Sequence, residues 1–297
     1  MSLLLLFAIV LMAACVTVTV AAYRWRAERL RSGALAATAT ADEATAAVAR
    51  HLRAARWLAL PLAVLVSVLA YLAFDDLAIF AIPALAALSA VVCWLVAETT
   101  APLPPPASVR EASLAPRDLY EYAGRRRTFL TRASLGLAFA TLAVAALLAD
   151  RQGSGLEISC SAGGATTSPF PGLTYTSLTA VALVALAVMS EFAMLRIANR
   201  PDPAGAEAKP ADELLRRSSA GAIVRTTMGA ALVVIFGVTL TGGIGLLHLD
   251  GVCDARMQEN LGYLFLTVTF ASALAMAILL VDTALAAGRS AAERVRS

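Results

Sequence analysis

The side chains able to do chemistry are few, and their spacing excludes most of the chemistry they could do. Among 297 residues there are two histidines, four cysteines and a single lysine, Lys209. His51 and His248 stand far apart, so they make no pair of axial haem ligands. Lys209 lies in a polar stretch rather than an apolar one, which removes the Schiff-base lysine that a retinal protein needs. No glycine-rich phosphate loop, nucleophile elbow or His-Glu-x-x-His pair is present. Cys253 with His248, Asp250 and Asp254 comes nearest to a metal set. A closed zinc site takes four well-spaced His or Cys ligands, and this group falls short. The expectation is therefore no catalytic residue, no cofactor and no metal. Two groups remain: the cysteines Cys160 and Cys253, and the ionisable residues Glu191, Arg225 and Asp282, with Glu98 as a further member.

The elements that must position these residues follow from composition. Hydrophobic residues make up 59% of the chain and charged residues 15%, against about 45–50% and 25% in an ordinary soluble domain. So few charges cannot solubilise a fold of this length. A soluble enzyme, a disordered chain and a nucleic-acid-binding module are excluded, and a polytopic membrane protein is left. A spanning helix needs roughly 20 mostly apolar residues. Seven stretches qualify, at about 2–23, 57–74, 77–97, 133–149, 175–195, 226–248 and 262–281. The predicted fold is thus an all-α, polytopic transmembrane bundle of seven spans in one domain, 1–297.

Arginine placement orients it. With the N-terminus out and the C-terminus in, the inner loops are 24–56, 98–132 and 196–225, and the outer loops are 150–174 and 249–261. All 24 cations except Arg151 and Arg256 then fall inside, as cytoplasmic loops require. Asp75, Asp76, Asp150, Glu157, Asp250, Asp254 and Glu259 fall outside. Tyr23, Trp25, Trp57 and Trp94 mark inner span ends, and Tyr71, Tyr175 and Tyr263 mark outer ones, as amphipathic rings at headgroup depth do. The arginine-dominated basic set reflects coding bias rather than a phosphate-binding design. Met1-Ser2 carries no positive charge and the following apolar run is too long for a signal h-region, so residues 2–23 are expected to be retained as a span.

This topology gives the candidates their settings. Cys15 and Cys93 lie inside spans, where cysteine acts as a small apolar residue. Cys160 and Cys253 lie on the oxidising side, and a disulfide between their loops follows from that compartment. Two unpaired thiols, or the weak metal set, are the alternatives. Glu191, Arg225 and Asp282 fall in the inner quarter of the membrane. They either form a buried cluster locking three helices or reach the inner interface separately by snorkelling. Gln152, Asn199, Gln258 and Asn260 are the whole amide complement, and none is in a span. Pro83 and the glycines Gly237, Gly242, Gly243 and Gly245 would break carrier-like helices only with polar company; close packing of small residues accounts for them more simply.

The loops carry local signals. Thr40 with Glu43, and Ser108 with Glu111, have capping-box spacing, and Asp212 is placed to cap the helix entering the sixth span. Pro102, Pro104, Pro105 and Pro106 form a stiff spacer. The outer loop 150–174 is rich in turn formers and reads as a stapled loop, the alternative being a lid that presents Phe170.

Glu98-Thr99-Thr100-Ala101-Pro102, Glu111-Ala112-Ser113-Leu114-Ala115-Pro116-Arg117 and the Cys160 to Gly172 segment resemble uncharacterised multi-pass membrane proteins of high-GC Gram-positive bacteria. The resemblance implies a bacterial plasma-membrane location and assigns no activity, cofactor or site residue. With uniformly apolar spans and no converging chemistry, the expected function is that of a non-enzymatic accessory, sensing or scaffolding component. The alternative is a permease or transporter subunit. The expected partners are the lipid bilayer and another membrane protein, with no nucleic acid.

Overall fold

A computed structural model describes residues 41–101, 122–149, 155–160, 163–167, 170–200, 209–248 and 256–296. In chain order the elements are α1 (Ala41–Phe74), a 3-10 turn (Asp75–Ala78), α2 (Ile82–Thr100), α3 (Arg125–Leu148), β1 (Leu156–Cys160), β2 (Gly163–Thr167), α4 (Leu173–Ala198), α5 (Lys209–Leu247) and α6 (Arg256–Arg296). Six of these helices are long and apolar enough to cross a membrane. They correspond to the second through seventh expected spans. The first, at 2–23, lies outside the described residues, as do the proline run and the Ser108/Glu111 pair.

Helix ends follow local chemistry. α1 begins at Ala41, directly after Thr40, and continues through Arg56 and Pro61 into the apolar stretch. It stops where Asp75 adopts a left-handed φ of 51°, a conformation that Asp tolerates better than most residues. The 3-10 turn follows, so α2 starts at Ile82 rather than at 77. Pro83 then occupies the first turn of α2, where its missing N–H costs nothing; it starts a helix instead of breaking one. Gly124, at φ 83°, sets α3 off from the residues before it, a φ that glycine adopts without a Cβ penalty.

The segment between α3 and α4, expected as a turn-rich loop, holds the two strands found among the described residues. β1 and β2 form an antiparallel hairpin in which Leu156 faces Thr167 and Cys160 faces Gly163. Phe170, the residue of the lid alternative, is not presented to solvent. It is fully buried against Leu156, Leu246 and Phe265. A ring of that size gains more from burial than from exposure.

The described chain divides into two compact units. The first draws on Met1–Asp76, Leu85–Thr131 and Val184–Thr227. Its core joins Val48, Leu52, Ala55 and Ala59 of α1 to Ala90, Cys93 and Ala97 of α2. The three- and four-residue spacing puts each set on one helix face. Small residues bring the backbones close enough for the Cys93 thiol to reach the Ala55 carbonyl at 3.5 Å. Two side-chain pairs add polar contacts here: His51 Nε2 with Thr100 Oγ1 at 3.1 Å, and Ser190 Oγ with Thr227 Oγ1 at 2.7 Å. Trp94 packs against this core.

The second unit contains Leu77–Ala84, Arg132–Leu183 and Met228–Ser297. α5 runs unbroken through Gly237, Gly242, Gly243 and Gly245. These glycines make room for neighbours. A Cβ on Gly237 would meet Phe80 at 3.3 Å, and one on Gly243 would meet the Gly262 carbonyl at 3.2 Å. Phe80 in turn stands edge-on to Tyr175 with ring centroids 6.1 Å apart. Thr239 and Thr269 pair through their hydroxyls at 2.8 Å. Trp57, Tyr71 and Tyr263 are exposed. Burial in the most apolar window is 17% for α1 and for α6, but 61% for α5. Among the described residues, the first two therefore leave broad apolar faces uncovered.

The Gly242 packing is directly testable. A Cβ there would lie 2.7 Å from the Phe265 ring, inside a filled core where overpacking costs about 1–3 kcal/mol. Gly242→Ala is expected to lower the thermal unfolding midpoint of the detergent-solubilised protein. Gly136→Ala, with nothing within 4 Å, is expected to hold or raise it, since alanine favours a helix interior by roughly 0.8–1 kcal/mol. Equal effects would contradict the packing.

Candidate functional site

The densest polar arrangement lies in the first unit, where α2, α4 and α5 contribute four charged side chains. Glu98 comes from the last turn of α2, Arg200 from just beyond α4, and Asp212 and Arg216 from the first turns of α5. Glu98 is 4% exposed and Arg216 2% exposed. Buried charges at this depth persist only when paired and hydrogen-bonded.

The pairing alternates in sign. Arg200 Nη1 donates to Glu98 Oε2 at 3.0 Å, and its Nη2 donates to Asp212 Oδ1 at 2.5 Å. Arg216 Nε donates to Asp212 Oδ2 at 2.6 Å. Each Asp212 oxygen thus serves a different guanidinium. Two carboxylates and two guanidiniums sum to zero formal charge. Asp212 was expected to cap α5; its carboxylate bridges two arginines instead, and its place in the first turn also suits the positive helix end.

Arg216 has a second role. Its Nη1 donates to the carbonyls of Ile197 at 3.1 Å and Ala198 at 3.2 Å, and its Nη2 donates to that of Arg200 at 2.7 Å. The Ile197 and Ala198 carbonyls lie in the last turn of α4, where helix carbonyls lack intrahelical partners, and that of Arg200 lies just beyond it. A planar fork with five donors can cover several at once, and its charge suits the negative end of α4. The Tyr122 ring lies 5.9 Å from the guanidinium carbon, within cation–π range. Arg216 therefore seals the C-terminus of α4 while Asp212 holds it in place.

Beside this network, Arg56 of α1 donates to Ser218 Oγ at 2.8 Å. It lies within electrostatic reach of Glu98 and of two like charges, Arg53 and Arg225. The Arg225 guanidinium lies back over Gly221, one turn earlier, with atoms 3.6–3.8 Å from where a Cβ would stand.

Of the residues singled out from sequence, Glu98 enters the buried network. Glu191 lies exposed on α4, Arg225 half-buried on α5 and Asp282 half-buried on α6. Glu191 and Arg225 belong to the first unit and Asp282 to the second. Cys160 closes β1, whereas Cys253 lies outside the described residues, and with it the expected disulfide. His248 Nδ1 bonds its own helix at the Ile244 carbonyl, 2.9 Å away; Asp250, Cys253 and Asp254 lie outside the described residues. Among those residues no three His, Cys, Asp or Glu side chains come together as metal ligands. Sequence reasoning left Arg200 and Arg216 as loop cations. The signal available was Asp212 and Arg216 at i,i+4, the spacing of a helical ion pair.

The network's chemistry is that of a lock. Guanidiniums do not give up protons at physiological pH, and both Asp212 oxygens are engaged. Removing one partner from a buried pair costs about 3–5 kcal/mol because the other charge stays buried. Asp212→Ala and Arg216→Met are each expected to lower the unfolding midpoint strongly. The exposed pair Arg217–Glu213, also at i,i+4, provides the control: Arg217→Met should change stability by no more than about 1 kcal/mol. A mild Asp212→Ala would contradict the lock. Comparison with known protein families, curated proteins and solved structures finds no match for this chain.

Proposed function

We propose that the protein is an integral membrane protein acting as a non-enzymatic accessory, sensing or scaffolding component of a bacterial plasma membrane. The observation that carries this reading is the pairing of buried charges in the first unit. Glu98, Arg200, Asp212 and Arg216 neutralise one another and seal a helix end, which suits a fixed structural part more than a reacting centre. The uncovered apolar faces of α1 and α6 suit lipid contact or a membrane partner. The arginine asymmetry supports seven spans with the N-terminus out and the C-terminus in. It also supports a Cys160–Cys253 bridge on the outer side.

Purification from native membrane in mild detergent is expected to bring down a stable membrane partner, and recovery as a lone monomer would contradict the accessory role. Reporter tags at the two ends should report opposite compartments, and the same compartment would overturn the odd number of spans. Alkylation without reductant should spare Cys160 and Cys253, and labelling of both would remove the bridge. Solute flux in liposomes that is lost in Glu191→Gln or Asp282→Asn would make the protein a carrier instead.

A further inference from the structure

We propose that Trp94 and Glu98 together bind one internal water molecule, which completes the charge network. Two polar atoms in the first unit are buried without a hydrogen-bond partner among the described residues: Trp94 Nε1 and Glu98 Oε1. They stand four residues apart on α2, hence on one helix face. Both side chains line the same small cavity, about 10 Å³ in volume, with Ala55, Arg56, Ser219 and Ile223 among its other walls. That volume is about the minimum that admits a single water.

The chemistry of the walls selects the occupant. Trp94 Nε1 can only donate, and a carboxylate oxygen can only accept. Water accepts from the first and donates to the second. Its second proton and lone pair remain for the Ser219 hydroxyl and the Arg56 guanidinium. A metal cation is disfavoured by the indole N–H and by Arg56, and an anion by Glu98. Two to four polar partners around one water is the usual arrangement in protein interiors. The opposite oxygen of the same carboxylate, Oε2, binds Arg200. The water would therefore fix the rotation of the Glu98 carboxylate and so the aim of its outer oxygen.

The test uses the full-length protein, labelled with nitrogen-15 at the tryptophan indoles and held in lipid nanodiscs. Its three indoles, Trp25, Trp57 and Trp94, are assigned from the peak lost in Trp94→Phe. If that variant does not fold, Trp57→Phe and Trp25→Phe assign Trp94 by elimination. The expected result is a cross-relaxation peak between the Trp94 indole proton and water, with the sign of a resident rather than a bulk molecule. A high-resolution structure should place a water within hydrogen-bond distance of both Nε1 and Oε1. A Trp94 indole with no water peak, or a direct Trp94–Glu98 hydrogen bond in that structure, would overturn the proposal.

Discussion

Arg216 is a permanently charged side chain with 2% of its surface exposed, and that one fact constrains its surroundings. A buried guanidinium needs an anion and enough acceptors for its hydrogens. Asp212 supplies the anion and the end of α4 supplies the carbonyls. Asp212 must then be held, which Arg200 does, and Arg200 is balanced in turn by Glu98. Each member thus answers a need created by its neighbour. The result ties the start of α5 to the end of α4 and to the last turn of α2.

The second unit reaches order by another route. Its described core contacts include Phe170 buried against Phe265, and α5 glycines shaped to neighbouring rings. Such packing depends on fit rather than charge. The hydroxyl pair of Thr239 and Thr269 adds one polar contact. Buried ion pairing thus stands beside the apolar core of the first unit, while close packing of small and aromatic residues marks the second.

Hydropathy made the six described apolar helices legible in the sequence to within a few residues at their apolar cores. Their true ends were less evenly legible: Asp212 signalled the early start of α5, whereas α6 continues well beyond its apolar stretch. The charge network was harder still. Counting Arg200 and Arg216 as loop cations treats charge as a marker of water, whereas a guanidinium with four acceptors can be buried. Nothing local separates those arginines from exposed Arg217; only tertiary partners do. The same applies to the packing of Trp94 and Tyr175, whose neighbours are set by the fold. The hairpin escaped notice because Gly163 and Gly164 read as turn residues, while in the fold they pair with Cys160 and Ser159.

A network of this kind suits a protein that must hold a fixed form in a membrane and offer it to a partner, in keeping with the role proposed here. That account rests on Glu98 and Arg200 acting as one coupled pair rather than as two separate buried groups. A double-mutant cycle tests it most directly, using Glu98→Leu, Arg200→Met and both together, read by thermal unfolding of the full-length protein. The account predicts that the second substitution costs much less once the first is present, with a coupling of about 0.5–3 kcal/mol. Strictly additive losses would contradict it.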